Sequence, residues 1–157
     1  IAKGFVKGFI DWLSQSTGFF IHLASDGDIP LKSHIYIAPD EMHMVIDKAG
    51  VIRLNRDAPE NNLRPSISVL FRSVAEVLGP NAVGILLTGM GEDGANELKL
   101  MRDRGAITIA QDKETSVIHG MPGKAISIGA AVHVLPDYHI AEILEKIVGL
   151  KTATRRA

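Results

Sequence analysis

The sequence predicts an α/β fold, doubly wound, with a largely parallel sheet and an antiparallel hairpin insertion. The apolar runs at 83–87 and 106–110 lack alternation, which indicates strands that are buried on both faces. Segments with helical spacing of apolar residues alternate with such runs, and this order is typical of parallel sheets. We also expect the fold to be N-terminally truncated, because Ile1 leads directly into a helical pattern.

The first half of the chain places one helix before several short strands. Apolar residues at helical spacing predict a helix over 3–14, and FFIHLA at 19–24 predicts a strand. Three further extended runs follow, at 35–39, 43–47 and 51–54. We expect the region 35–54 to be the antiparallel insertion, with DKAG at 47–50 as the turn of a hairpin.

The second half alternates helices with strands. Pro65 is expected in the first turn of a helix whose apolar stripe begins at Ile67, and Gly79-Pro80 should end that helix. After the strand at 83–87, helical spacing predicts a helix from about 93 to 104. The remaining predicted elements are a strand at 106–110, a helix at 122–128, a strand at 131–135 and a helix at 138–148.

Composition limits the classes of function. A chain of 157 residues with 46% hydrophobic residues is typical of one globular domain, and its net charge of −1 gives no reason to expect a nucleic-acid partner. The lack of cysteine excludes disulfides and thiol catalysis and suits a cytoplasmic protein. No apolar run approaches the roughly 18 residues of a membrane span, so we expect no membrane insertion.

The segment LLTGMGEDGA, Leu86–Ala95, is the most informative motif. Gly89, Gly91 and Gly94 match the dinucleotide fingerprint G-x-G-x-x-G, and they lie between a predicted buried strand and a predicted helix. This context favours a turn that binds a pyrophosphate at the helix N-terminus. The same context also favours a turn that displays a side chain at the sheet edge, where ligands of α/β proteins bind.

The two carboxylates in this turn oppose nucleotide binding. Two like charges ~4 Å apart cost about 4 kcal/mol at an effective dielectric of ~20. A helix terminus contributes about 0.3–1 kcal/mol. The repulsion of a phosphate by Glu92 and Asp93 should therefore exceed its attraction to the helix N-terminus. A structural alternative is that Asp93 is the N-cap of the following helix, and one of its oxygens could cap while the other faces a crevice.

Several histidines carry weaker signals. His34, Asp40 and His43 could approach one another across the hairpin, but their spacing matches no metal motif, so we expect exposed polar side chains. His119 precedes Gly120 in a predicted turn and could line the same edge as Asp93.

Three blocks of the sequence resemble the catalytic domain of the chemotaxis protein-glutamate methylesterases (CheB-type). They are Gly84–Ala130, which contains GMGEDG, then RPSISVLFRSVAEVLG at Arg64–Gly79, and IYIAPDEMHM at Ile35–Met44. The resemblance implies a serine hydrolase that demethylates glutamyl methyl esters on chemoreceptors and often deamidates glutamines. It implies methyl-accepting chemoreceptors as partners, and neither a metal nor a cofactor.

The family uses a serine–histidine–aspartate triad. The resemblance places the aspartate at Asp93 and part of the oxyanion-binding region at Met90. Residues 1–10 resemble the segment that follows the family's histidine, so this chain would lack both nucleophile and base, and we expect it to be inactive alone. The chain has Leu63 and Ser68 where the family commonly has histidine and aspartate.

The resemblance also bears on domains and partners. We expect residues 1–157 to be a single, partial methylesterase catalytic domain, and the family commonly carries an N-terminal receiver domain. A truncated sheet should expose an edge, so self-association is expected. Two alternative functions stay open: a nucleotide-binding module that uses the Gly89-Gly91-Gly94 turn, and a non-catalytic receptor-docking module.

Overall fold

The computed structural model describes residues 3–148, in which four strands follow the first helix and helices alternate with strands from residue 67 onward. The helices are α1 (Val6–Thr17), α2 (Ile67–Val77), α3 (Ala95–Asp103), α4 (Met121–Ser127) and α5 (Asp137–Val148). The strands are β1 (Phe20–Leu23), β2 (His34–Ile37), β3 (His43–Ile46), β4 (Ile52–Asn55), β5 (Val83–Leu86), β6 (Ile107–Gln111) and β7 (His133–Leu135). This order confirms the predicted α/β class.

Parallel pairing dominates, as predicted, but in two separate sheets. Strands β5, β6 and β7 form one parallel sheet, and β1 pairs in parallel with β2. The hairpin is the antiparallel pair β3–β4 around the turn at 47–50. The predicted insertion over 35–54 was therefore too long, because residues 34–37 belong to a parallel pair. A parallel pair needs a long connection, and residues 24–33 supply it between β1 and β2.

The buried faces of β5 and β6 hold much of the core. Leu86 and Ile109 are at most 2% exposed, and α3 covers the sheet with Leu98 and Met101, which are equally buried. Fully burying one such side chain contributes about 1.5–3 kcal/mol. The prediction of burial on both faces holds for β6, where four of five residues are buried, whereas buried and half-buried residues alternate along β5.

Helix α2 joins the hairpin to the larger sheet. Its residue Leu70 packs on the hairpin core around Met44 and Ile52, while Phe71 packs against the core of α3. The prediction that Pro65 lies in the first helical turn was wrong. Ser66 has the extended backbone that an N-cap residue adopts, so α2 begins at Ile67.

Helix α3 begins later than predicted because of the glycine before it. Gly94 has φ +81°, in the left-handed region, and α3 begins at Ala95. A Cβ on Gly94 would lie 2.5 Å from Cγ2 of Ile67 in the first turn of α2. The glycine is therefore required both for the backbone turn and for the close approach of the two helices.

No helix in the described part of the chain combines the length and the apolar composition that a membrane crossing requires.

We expect Gly94→Ala to lower the free energy of unfolding by about 2–5 kcal/mol. About 1–2 kcal/mol comes from the left-handed backbone and about 1–3 kcal/mol from overpacking against Ile67. Gly91→Ala is the matched control: Gly91 has φ +88° and no atom within 4 Å of its Cβ position, so only the backbone cost applies. Urea unfolding followed by circular dichroism measures both variants, and equal losses would contradict the proposed contact.

Candidate functional site

The carboxylate of Asp93 lies beyond the carboxyl end of β5 and is held by four hydrogen bonds. Oδ1 accepts from Ser66 Oγ at 2.7 Å, from the Ser68 N–H at 3.3 Å and from Asn61 Nδ2 at 3.4 Å. Oδ2 accepts from the Ile67 N–H at 2.6 Å. The residue is 4% exposed, so these bonds replace the water that a surface carboxylate would have.

The structure corrects the prediction that Asp93 is the N-cap of the helix that follows it. Gly94 occupies that position, and the Asp93 side chain instead caps the first turn of α2. In return, Ser68 of α2 accepts a hydrogen bond from the Gly94 N–H at 2.9 Å. The starts of α2 and α3 therefore cap each other, and each satisfies backbone donors that a helix cannot satisfy alone.

The hydrogen bonds keep Asp93 charged. Burial is the largest single influence and raises the pKa of this carboxyl, but the bonds from Ser66, Ile67 and Ser68 together outweigh it. The net result is a pKa below the ordinary value of 3.8. The partial positive charge at the N-terminus of α2 acts in the same direction. Asp93 is therefore an ionised acceptor at neutral pH.

His43 completes the support of this helix start. Its ring donates from Nε2 to the Ala58 carbonyl at 3.2 Å, and its Nδ1 accepts from the Ser66 N–H at 3.3 Å. These two bonds specify the tautomer that carries its hydrogen on Nε2. The expectation of an exposed His43 was wrong, because the residue is 1% exposed beneath α2.

The structure does not bring His34, Asp40 and His43 together. Nδ1 of His34 lies 2.7 Å from Nε2 of His22 on the neighbouring strand, and Asp40 accepts from the Gly4 N–H at 2.8 Å. Within residues 3–148, no group of three or more histidine, aspartate or glutamate side chains has the geometry of a metal site.

Hydrogen bonds hold the turn that carries Met90 against the loop at residues 118–121. Gly89 donates to the Ile118 carbonyl, and its own carbonyl accepts from the Gly120 and Met121 amides, at 2.9 to 3.1 Å. Met90 itself is 79% exposed, and its N–H donates to no other described residue. The Met90 amide is therefore a backbone donor in a hydrogen-bonded turn, with no acceptor among residues 3–148.

A further group of hydrogen bonds, from side chains, holds the start of the same turn at Thr88. The Gln111 side chain accepts from the Thr88 N–H at 2.7 Å and donates to the Thr115 carbonyl at 3.0 Å. Thr88 Oγ1 also accepts from the Ile118 N–H at 2.8 Å. The ends of β5 and β6 are thus cross-linked by side chains, which fixes the approach of the chain to Met90.

A cleft of about 530 Å³ opens beside Asp93. Lys3 and Val6 border it from the beginning of the described chain, so this segment lies beside the carboxylate. The other residues that line it are Ile37, Ala38, Asp40, Glu41, Pro59, Asn62, Leu63, Arg64, Pro65, Ile67 and Met121. His119 pairs with Gly89 in an isolated parallel bridge at the sheet edge where Asp93 lies, but it does not line the cleft.

Ion pairs fix one wall of the cleft. Glu41 lies 3.4 Å from Lys3 Nζ and 3.2 Å from Arg64 Nη2. Arg64 also donates to the carbonyls of Arg56 and Asp57, at 3.2 and 3.1 Å. Arg64 thus ties the loop that follows β4 to the loop between β2 and β3.

The glycine turn is poorly suited to a pyrophosphate. Glu92 and Asp93 place two carboxylates in the turn directly before α3, where the pyrophosphate would bind. Lys124 lies 3.2 Å from Glu92 and offsets one charge, a contact that the spacing of the turn does not indicate. The remaining negative charge of Asp93 still repels a phosphate.

Sequence reasoning selected Asp93 as a candidate site residue but missed the residues that hold its carboxylate in place. A serine before the apolar stripe of α2 is a recognisable N-cap signal, and it marks Ser66. Nothing local links Ser66 to Asp93, because 27 positions separate them. Asn61 and His43 carry no local signal for this role.

Comparison with known proteins identifies the family to which the chain is similar. The family described as CheB methylesterase matches residues 1–144. A protein-glutamate methylesterase/protein-glutamine glutaminase of Nitrosospira multiformis is 52% identical over 99% of this chain and 44% of its own length. A relative of the same description from Geobacter metallireducens is 51% identical over 94% of this chain and 43% of its own length.

The fold also matches a solved structure of the same family. The crystal structure of the Thermotoga maritima CheB methylesterase catalytic domain matches with a TM-score of 0.89 and 32% identity, over 94% of this chain and 79% of that one. The chain spans about 44% of the length of the Nitrosospira relative. The sequence matches and the fold match both cover most of the chain. The chain therefore belongs to the CheB methylesterase family.

Proposed function

We propose that this chain is part of a serine hydrolase that demethylates glutamyl methyl esters on chemoreceptors and deamidates receptor glutamines. Residues 1–157 are then one part of a methylesterase catalytic domain. Asp93 is the aspartate of its triad, and the serine and histidine come from residues outside this sequence.

The observation that carries this proposal is the position of the Asp93 carboxylate. It is ionised, buried, and borders a cleft that Lys3 and Val6 also border. Residues 1–10 resemble the segment that follows the family's histidine. A histidine before that segment would reach the cleft beside Asp93, where the carboxylate would orient the imidazole and stabilise its charged form.

The reaction needs three groups in contact. The imidazole takes the proton of the serine hydroxyl as the oxygen attacks the ester carbonyl, and it returns the proton to the departing methoxy group, which leaves as methanol. Water then hydrolyses the acyl-serine, so ester and water give acid and methanol. Asp93 stays ionised throughout.

Met90 has the properties of an oxyanion donor. Its amide is held in a clamped turn and has no acceptor within the described chain. A backbone donor aimed at the oxygen of a tetrahedral intermediate contributes about 10²–10³ in rate in comparable enzymes. We therefore assign the Met90 N–H to this role.

The chain alone should be inactive, since a triad without nucleophile and base has no covalent route. Chemoreceptors are the proposed partners, and a receiver domain could occupy part of the additional length of the relatives.

The test of this function joins the chain to the segment that precedes the matching region in the Nitrosospira relative. We expect the hybrid to release methanol from methylated receptor membranes and the chain alone to release none. Asp93→Asn in the hybrid should lower turnover about 10⁴-fold, by analogy with other triads. The amide carries no charge that could stabilise the imidazolium, and its NH₂ group would oppose a donor that now bonds to the carboxylate.

Asp103→Asn is the matched control, because Asp103 is an exposed acid paired with Lys99 in α3. Its turnover should equal that of the unmodified hybrid. Methanol release by the chain alone, or an unaffected Asp93→Asn hybrid, would refute the proposal.

The ionised state of Asp93 has a consequence for stability. The fold lowers the pKa of Asp93 below 3.8, so the ionised carboxylate stabilises the folded state. This stabilisation is fully present well above pH 3.8 and is lost as the pH falls through the pKa of Asp93 in the folded state. We expect Asp93→Asn to be much less stable than the wild type at pH 7, with a difference that narrows progressively below pH 3.8. Urea unfolding from pH 7 to pH 2.5 measures it. A difference that does not change with pH would show that the charge of Asp93 is not stabilised by the fold.

A further inference from the structure

The two oxygens of the Asp93 carboxylate are used unequally. Oδ1 has three donors, which are Ser66 Oγ and the nitrogens of Ser68 and Asn61, whereas Oδ2 has one, the Ile67 N–H. Each carboxylate oxygen offers about two lone-pair sites. Among the described residues, Oδ1 therefore has its acceptor sites filled, whereas Oδ2 has one donor and one further acceptor site.

We propose that Ser66 is a positioning residue for Asp93: its hydroxyl anchors Oδ1 and leaves Oδ2 as the oxygen that accepts from an imidazole in the cleft. The imidazole rests on the proposed function above. The anchoring of Oδ1 is a property of this chain and can be tested without turnover.

Ser66 has the geometry of an anchor. Its bond to Oδ1, at 2.7 Å, is the shortest of the three, and the residue is 3% exposed. Its backbone N–H is held by His43, so the hydroxyl is carried on a fixed backbone. Its hydroxyl donates to Asp93. Although Ser66 occupies the N-cap position of α2, its side chain forms no hydrogen bond that caps this helix. A hydrogen bond to a charged acceptor is stronger than one between neutral groups.

Other titratable groups also lie near Asp93, and the test must separate their effect on its pKa from that of Ser66. Those that border the cleft or the turn are Lys3, Asp40, Glu41, Arg64, the Glu92–Lys124 pair and, behind Ser66, the His43 ring. Replacing Ser66 by alanine changes none of these groups. A change in the titration of Asp93 in that variant therefore reports the lost hydroxyl.

The experiment follows the Asp93 side-chain carboxyl carbon by NMR during a pH titration of the full chain. Ser66→Ala should raise the pKa of Asp93, and Ser66→Thr, which keeps a hydroxyl, should return it to the wild-type value. The matched control is Ser73→Ala on the same helix. Ser73 Oγ accepts from the Ile46 N–H at 3.0 Å and donates to the Leu70 carbonyl, so this variant loses one tertiary bond and one bond within the helix without touching Asp93.

An unchanged Asp93 pKa in Ser66→Ala, with thermal destabilisation similar to that of Ser73→Ala, would overturn the proposal, since it would leave Ser66 a purely structural role. If the alanine variant does not fold, Ser66→Cys gives the same readout, because a thiol is a weaker donor of similar shape. A wild-type titration in the cysteine variant would equally overturn it.

Turnover then tests the catalytic consequence. In the hybrid described above, Ser66→Ala should lower kcat about 10- to 100-fold with little change in KM, the size expected for losing a hydrogen bond to a charged group. Ser73→Ala should leave both unchanged. If the unmodified hybrid is inactive, the proposed function fails, while the NMR titration still decides the anchoring by Ser66.

Discussion

The carboxylate of Asp93 closes the first turn of α2, and the hydroxyl of Ser68 in that turn accepts from the backbone just before α3. A buried helix start with unsatisfied amides is costly, so each helix depends on the other for its first turn. Through Leu70 and His43, the same helix start is tied to the β3–β4 hairpin. One pair of reciprocal caps therefore connects the hairpin to the sheet that holds the site.

This arrangement explains how one carboxylate can serve both fold and chemistry. Burial alone would push Asp93 toward its neutral form, which could not stabilise an imidazolium. The donors of α2 outweigh that effect, and most of them converge on one oxygen. The ionised state that the proposed mechanism needs is thus the state that the native fold stabilises.

The glycine turn has a different basis from the nucleotide fingerprint that it resembles. Gly94 is required because a side chain there would overlap Ile67, and the hydrogen bonds of Gly89 tie the turn to residues 118–121. Both constraints arise from packing between elements of this chain. A spacing of glycines can therefore match a phosphate motif while serving helix contact and hydrogen bonds between two loops.

The resemblance of GMGEDG to the family's motif selected Asp93 as the proposed triad aspartate. By itself the sequence also determined the order of helices and strands, the buried character of β6 and the hairpin turn at 47–50. These features depend on local periodicity and on turn chemistry, which neighbouring residues specify. The tertiary structure alone decided that Asp93 caps α2 rather than α3, that His43 is buried, and that residues 34–37 pair in parallel with β1. Those outcomes join residues far apart in the chain, and their physical basis is the need of buried amides and carboxylates for partners that only folding brings within reach.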